Sequence, residues 1–146
     1  DRPSCRIDMP RIKHLGFTGT EEGMTDEQLT RFKAIIIDYD PEYFHHGMCI
    51  GADTQAHDAV WLITEARIIG HPPESRKKMI ARKCSVLRDP RRYMQRNQEI
   101  VDESDMLIAT PKENTEQQRS GTWATVRRGR KKGIPVIIIY PNGATS

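Results

Sequence analysis

The chain has 146 residues, 36% hydrophobic and 29% charged, the size of one ordinary domain with a single core. Its formal charge of +3 is too small to demand a nucleic-acid partner, and no apolar run approaches the roughly 20 residues of a membrane span. Cys5, Cys49 and Cys84 are odd in number, widely spaced and form no CxxC pair, so reduced thiols in a cytoplasmic protein are expected rather than a disulfide framework.

Residues 1–10 read as a lead-in and 11–146 as one domain. Arg11 to Phe17 predicts the first strand, which runs into Gly16-Phe17-Thr18-Gly19-Thr20-Glu21-Glu22-Gly23. Three glycines and two threonines at a strand end suggest a turn that contacts a ligand. The spacing is not GxGxxG, so no dinucleotide fingerprint is claimed. Glu21 and Glu22 would oppose an anion held beside them. Thr25-x-x-Gln28 is a capping box for a helix to about Tyr39, with Leu29, Phe32, Ile36 and Tyr39 on its apolar face.

Tyr43 to Ile50 predicts the second strand. His45, His46, Cys49 and His57 are nominal metal ligands, but adjacent histidines on a strand point to opposite faces and cannot readily share one ion. No metal site is expected. Gly51-Ala52-Asp53 then forms a turn before a helix from Thr54 to about Ala66. Asp53 and His57 lie within one turn of each other. Either both face a common pocket, or Asp53 caps the helix and His57 packs against it. Arg67 to Gly70 predicts the third strand, ended by His71-Pro72-Pro73.

The segment from Arg76 to Arg96 carries much of the positive charge and has no clean apolar period, so part of it reads as a loop. It is either a solvated basic face or a rim that attracts a phosphorylated ligand. Tyr93 to Glu103 predicts a helix. Asp105 to Thr110 is a short apolar strand, followed by a polar loop from Pro111 to Gln118. Ser120-Gly121-Thr122 opens a helix over Trp123 to Lys132, Gly133 ends it, and Ile134 to Tyr140 predicts the last strand. Free backbone amides and the helix dipole make such a helix start an anion site. Gly121 would allow close approach of a ligand, and Arg119 supplies a fork of donors. Simple capping by Ser120 or Thr122 is the alternative. Arg127, Arg128, Arg130, Lys131 and Lys132 complement the far end of the dipole.

Five strands alternating with helices predict an α/β fold: a single Rossmann-like domain, with a parallel sheet and helices on both faces. Ligands of such sheets bind outside the strand carboxyl ends, at the switch in strand order. The three glycine turns would converge there.

Four stretches together resemble the SLOG superfamily of Rossmann-like domains: Gly16-Phe17-Thr18-Gly19, Gly51-Ala52-Asp53-x-x-Ala56-His57, Tyr93-Met94-Gln95-Arg96-Asn97-Gln98-x-Ile100 and Ser120-Gly121-Thr122-Trp123-Ala124-Thr125. They are most similar to the DNA-processing protein A branch, and more distantly to the lonely-guy phosphoribohydrolases. The resemblance spans about Leu15 to Pro141. It implies a nucleotide or nucleotide-derived ligand, such as an ADP-ribose-like molecule or a cyclic nucleotide, and a homodimer or higher homo-oligomer. The DNA-processing branch implies single-stranded DNA binding, and the hydrolases imply cleavage of base from ribose 5′-monophosphate. Those hydrolases carry a PGGxGTxxE stretch whose glutamate does the chemistry; Thr125 stands at that position here, so no catalytic residue is assigned. Binding without turnover and without a cofactor is expected, by a sensor or a protein that sequesters a signal. The expected ligand-binding residues are Gly16, Phe17, Thr18, Gly19, Thr20, Gly51, Ala52, Asp53, His57, Arg96, Asn97, Thr110, Arg119, Ser120, Gly121, Thr122 and Thr125.

Overall fold

A computed structural model describes residues 11–146; the lead-in read at residues 1–10 lies outside the described residues. In chain order the elements are β1 (His14–Gly19), α1 (Asp26–Tyr39), β2 (Tyr43–His46), α2 (Ala52–Ile63), β3 (Arg67–Gly70), β4 (Val86–Leu87), α3 (Tyr93–Glu103), β5 (Met106–Thr110), α4 (Gly121–Lys132) and β6 (Val136–Ile138). The six strands form one sheet in the order β4-β3-β2-β1-β5-β6, and every pair is parallel. This is the α/β architecture expected from the sequence, with one strand more than the five read there.

The extra strand, β4, lies in the basic segment read as loop. Two exposed residues are too few to show a hydrophobic period. What makes them a strand is pairing: the Ser85 amide donates to Ile68 O at 2.8 Å and the Arg88 amide to Gly70 O at 2.9 Å. The second strand is shorter than expected. It stops at His46, where Gly47 and Met48 turn the chain, Met48 at a φ of 55°.

Local signals set the best-defined boundaries. Thr25 Oγ1 accepts from the Gln28 amide at 3.0 Å and Gln28 Oε1 accepts from the Thr25 amide at 3.0 Å, so the capping box is formed in full. Helix α4 ends on Gly133 in the left-handed region, at a φ of 87°. The main core lies between the sheet and helices α1 and α2, where Phe17, Phe32 and Phe44 meet with ring centroids 5.2 to 5.9 Å apart. A smaller cluster of Ala109, Trp123, Val126 and Ile138 packs α4 on the other face. Helices therefore cover both faces, and β1 and β5 lie in the interior of the sheet.

Candidate functional site

The strand order reverses between β1 and β5. From β1 the chain proceeds to β2, β3 and β4 on one side, and then returns to place β5 on the other. Loops leaving neighbouring strands in opposite directions leave a crevice at such a point. A cleft of about 360 Å³ lies there, walled by the ends of β1 and β2, the start of α3, and the loop from β5 into α4.

Most of the expected residues meet in this cleft. Phe17, Thr18, Gly19 and Thr20 form one wall, Asp53 the floor beside Gly47 and Cys49, and Arg96 and Asn97 a second wall. Arg119, Ser120, Gly121 and Thr122 close it from the α4 side.

The α4 start is capped and still presents backbone donors. Ser120 caps the helix, its hydroxyl accepting from the Trp123 amide at 3.2 Å. The amides of Gly121 and Thr122 precede the first intrahelical bond and have no acceptor within the helix, so capping leaves the anion-binding character intact. Arg119 is exposed on the cleft rim, without an ion-pair partner among the described residues. Gly121 is less open than its lack of a side chain suggests. A Cβ there would meet Tyr93 Oη at 2.2 Å, so the half-exposed Tyr93 ring lies against the helix start.

Asp53 is not the helix cap. Gly51 occupies that position at a φ of 86°, pressed so close to Glu21 O that a Cβ would sit 2.2 Å from it. The Asp53 carboxylate instead turns into the loop after β2, where Oδ2 accepts from the Cys49 amide at 3.1 Å. Burial pushes its pKa up to about 6, although the Arg96 guanidinium and the Cys49 and Gly47 amides favour the charged form. A carboxyl poised near neutrality in a cleft is suited to proton transfer as well as to accepting hydrogen bonds.

Arg96 is buried and largely engaged with the protein. Its Nη1 donates to Gly47 O and, at 3.2 Å, to His71 O, and its Nε to Asn97 Oδ1 at 2.8 Å. The guanidinium carbon lies 4.9 Å from the Tyr93 ring centroid. It thus ties the ends of β2 and β3 to α3 while giving the cleft a positive wall. Of the cations in the basic segment only Arg96 lines the cleft, and Lys78 pairs with Glu21, Arg82 with Asp58, Arg88 with Glu103 and Arg91 with Glu99.

Six of the expected residues stand outside the cleft lining. Thr20 O accepts from the Ala52 amide at 3.0 Å, so Gly51 and Ala52 brace the turn after β1 from behind. Gly16 lies within β1 under Ser104, and Thr110 is buried beneath Gly19 with its hydroxyl unpartnered. Thr125 bonds back to Gly121 O at 2.9 Å. His57 does not share a pocket with Asp53: its Nδ1 lies 2.9 Å from His46 Nε2, and its ring stacks on Trp61 at 6.3 Å. One turn of helix separates the two positions in projection, but Asp53 sits at the helix mouth and His57 turns toward the sheet.

The sequence reading missed Lys112, Glu113, Gln117 and Tyr93 as cleft residues. It also set Glu21 and Glu22 against an anion, whereas each is paired with a lysine, Lys78 and Lys112 respectively. These pairs join positions 57 and 90 residues apart, a separation at which no local pattern exists to be read.

No family model matches the chain, and no curated protein matches it. Among solved structures, it is similar to the molybdenum cofactor binding protein from the phototrophic bacterium Rippkaea orientalis, with 20% identity, a TM-score of 0.68, and coverage of 91% of this chain and 78% of that one. It is also similar to TM1055, a structural-genomics target, with 12% identity, a TM-score of 0.62, and coverage of 85% and 72%. At these identities the likeness is one of fold, and the fold of this chain is Rossmann-like.

Proposed function

We propose that the cleft binds a phosphorylated nucleotide or nucleotide-derived molecule, with phosphate at the α4 start and ribose toward Asp53. One observation carries this reading: the amides of Gly121 and Thr122 and the unpaired Arg119 converge on a cleft at the strand-order switch. Amides, the helix dipole and a guanidinium fork suit phosphate oxygens. The Asp53 carboxylate, already fed by backbone donors, suits ribose hydroxyls, and the Tyr93 ring offers a face for a base. A fold neighbour described as a cofactor-binding protein supports a small-molecule ligand. By the resemblance to SLOG domains, the reading extends to a cytoplasmic homo-oligomer that senses or sequesters its ligand without consuming it.

The test is calorimetry and native mass spectrometry with AMP, ADP-ribose and cyclic AMP. Arg119→Ala should weaken binding by about 1.5–3 kcal/mol, as for a charge-assisted hydrogen bond. Arg130→Ala, near Glu116, should leave affinity unchanged. Equal losses from both, with a steep salt dependence, would point instead to single-stranded DNA binding of the DNA-processing type.

Asp53 favours a second reading, an N-glycosidase of nucleoside monophosphates. A carboxyl titrating at about 6 inside the cleft could stabilise an oxocarbenium-like centre or activate water. Denaturing the complex and separating its contents decides between the two. Intact ligand supports the binder; free base, lost on Asp53→Asn, supports the hydrolase.

A further inference from the structure

The imidazoles that strand alternation sends to opposite faces of the sheet each enter a cluster that no function has yet claimed. On the α3 face, His45 of β2 meets His71, just past β3, and Glu103 at the end of α3. His45 Nδ1 and His71 Nε2 are 2.8 Å apart, and Glu103 Oε1 is 3.7 Å and 3.8 Å from them. Both histidines are fully buried, while Glu103 reaches the surface. We propose that His45, His71 and Glu103 form a zinc-type divalent metal site, with a solvent-side position left for water.

Four-coordinate zinc, with nitrogen and oxygen donors at about 2.0–2.2 Å, spaces those donors about 3.3 Å apart. The two nitrogens must part by about half an ångström and their rings tilt off the shared hydrogen-bond line, while the carboxylate oxygen closes by a similar amount. Two histidines and one carboxylate are a donor set that zinc accepts.

The outer contacts have the right polarity. His71 Nδ1 lies 2.7 Å from Glu99 Oε1, and Glu99 Oε2 accepts from Arg91 Nε at 2.9 Å. A carboxylate can only accept from the ring, so Nδ1 carries the proton and Nε2 presents its lone pair to the ion, as in carboxylate–histidine–metal arrangements. His45 Nε2 lies 2.9 Å from His14 Nδ1. In the metal-free tautomer, His14 donates to His45, and His45 Nδ1–H donates to His71. An ion replaces that last hydrogen bond: the Nδ1 proton of His45 leaves, and His45 Nε2 takes the proton of His14 Nδ1. The part-exposed His14 then takes a proton from solvent at Nε2. The imidazoles release no net proton, so the rearrangement needs no imidazolate.

The cluster on the other face lacks this freedom. His46, His57 and Cys84 each offer a ligand atom within 4.8 Å of the others, and His46 Nε2 and His57 Nδ1 are 2.9 Å apart. The Met48 amide donates to His46 Nδ1 at 2.9 Å. That amide cannot become an acceptor, so the single proton of neutral His46 stays on Nε2, aimed at His57. The backbone hydrogen bond to His46 Nδ1 thus distinguishes the two clusters.

Arg88 competes for the proposed site. Its Nε and Nη2 lie 3.1 Å and 2.9 Å from Glu103 Oε1, and an arriving ion must displace them or share that oxygen. Removing Arg88 should therefore tighten metal binding, the opposite of what loss of a merely structural ion pair would do.

The experiment titrates cobalt(II), as a spectroscopic stand-in for zinc, into the chelator-treated full chain. Visible absorption reports four-coordination, and zinc competition gives the affinity. The expected result is one equivalent bound and displaced by zinc, weakened at least tenfold by Glu103→Gln as a ligand is lost, strengthened by Arg88→Met and unchanged by Cys84→Ser. Circular dichroism checks that each variant is folded. If Glu103→Gln fails that check, Arg88→Met decides alone, because it loses only a part-exposed partner. The proposal is overturned by the lack of a cobalt band at excess ion, by an Arg88→Met variant that binds no more tightly, or by a thiolate charge-transfer band that disappears in Cys84→Ser. None of these outcomes bears on ligand binding in the cleft.

Discussion

Asp53 lines the cleft but does not cap the helix that carries it. Its place at a helix start suggests a cap, but the loop after β2 supplies the amides that hold it, and burial supplies the raised pKa. The sign of the consequence follows from linkage. A carboxyl whose native pKa lies near 6, above the unfolded value of 3.8, binds protons more tightly in the folded state. Stability is therefore lost as pH rises from about 4 to about 6, and the penalty persists above that range. Asp53→Asn, which keeps an acceptor oxygen for the Cys49 amide, should stabilise the protein at pH 8 by at most about 3 kcal/mol and change little at pH 4. Thermal melts at the two pH values check this; equal effects at both would show that the carboxylate carries no burial penalty.

Elements are bounded mostly by short-range chemistry, and here the sequence was most legible. The α1 start and the α4 stop at Gly133 follow from residues within a few positions of each boundary. The Thr25 hydroxyl both accepts from the Gln28 amide and donates to Pro141 O at 2.6 Å. Thr25→Ala should cost about 1 kcal/mol for the cap and a similar amount for the second bond. Thr25→Ser should recover most of the loss in a denaturant titration. Lys132 illustrates the other kind of terminus. Its Nζ donates to Val101 O, Asp102 O and Ser104 O at 2.9, 2.7 and 3.1 Å, so a cation placed to match its own helix dipole serves the carbonyls ending α3. That use depends on how α3 and α4 pack and cannot be inferred from α4 alone.

At the scale of the molecule, Gln28 joins α1 to both strands beyond the switch point. It is buried, and its Nε2 donates to Pro111 O at 2.7 Å and to Ile139 O at 2.9 Å while Oε1 serves the capping box. Gln28→Leu keeps the bulk and strands two carbonyls and an amide, so a loss of about 2–3 kcal/mol is expected. For a domain of this size that lowers the melting temperature by roughly 8 °C. A shift of less than a third of that would mean that water replaces these bonds at little cost. Because Pro111 starts the loop that walls the cleft, ligand affinity should fall along with stability.

The alternation of periods determined, by itself, that this chain is α/β with a parallel sheet, and glycine and hydroxyl residues after strands marked where its loops would gather. The opposite facing of His45 and His46 also followed from strand geometry alone. Only the tertiary structure decided that Thr110, Thr125 and His57 stand outside the cleft, that Val86 and Leu87 form a sixth strand, and that Lys78 and Lys112 neutralise the acids beside it. The reason is the range of the interactions. Periodicity and capping act within one or two turns of chain, whereas burial, ion pairing and the joining of histidines from three separate segments depend on which distant stretches the fold brings together.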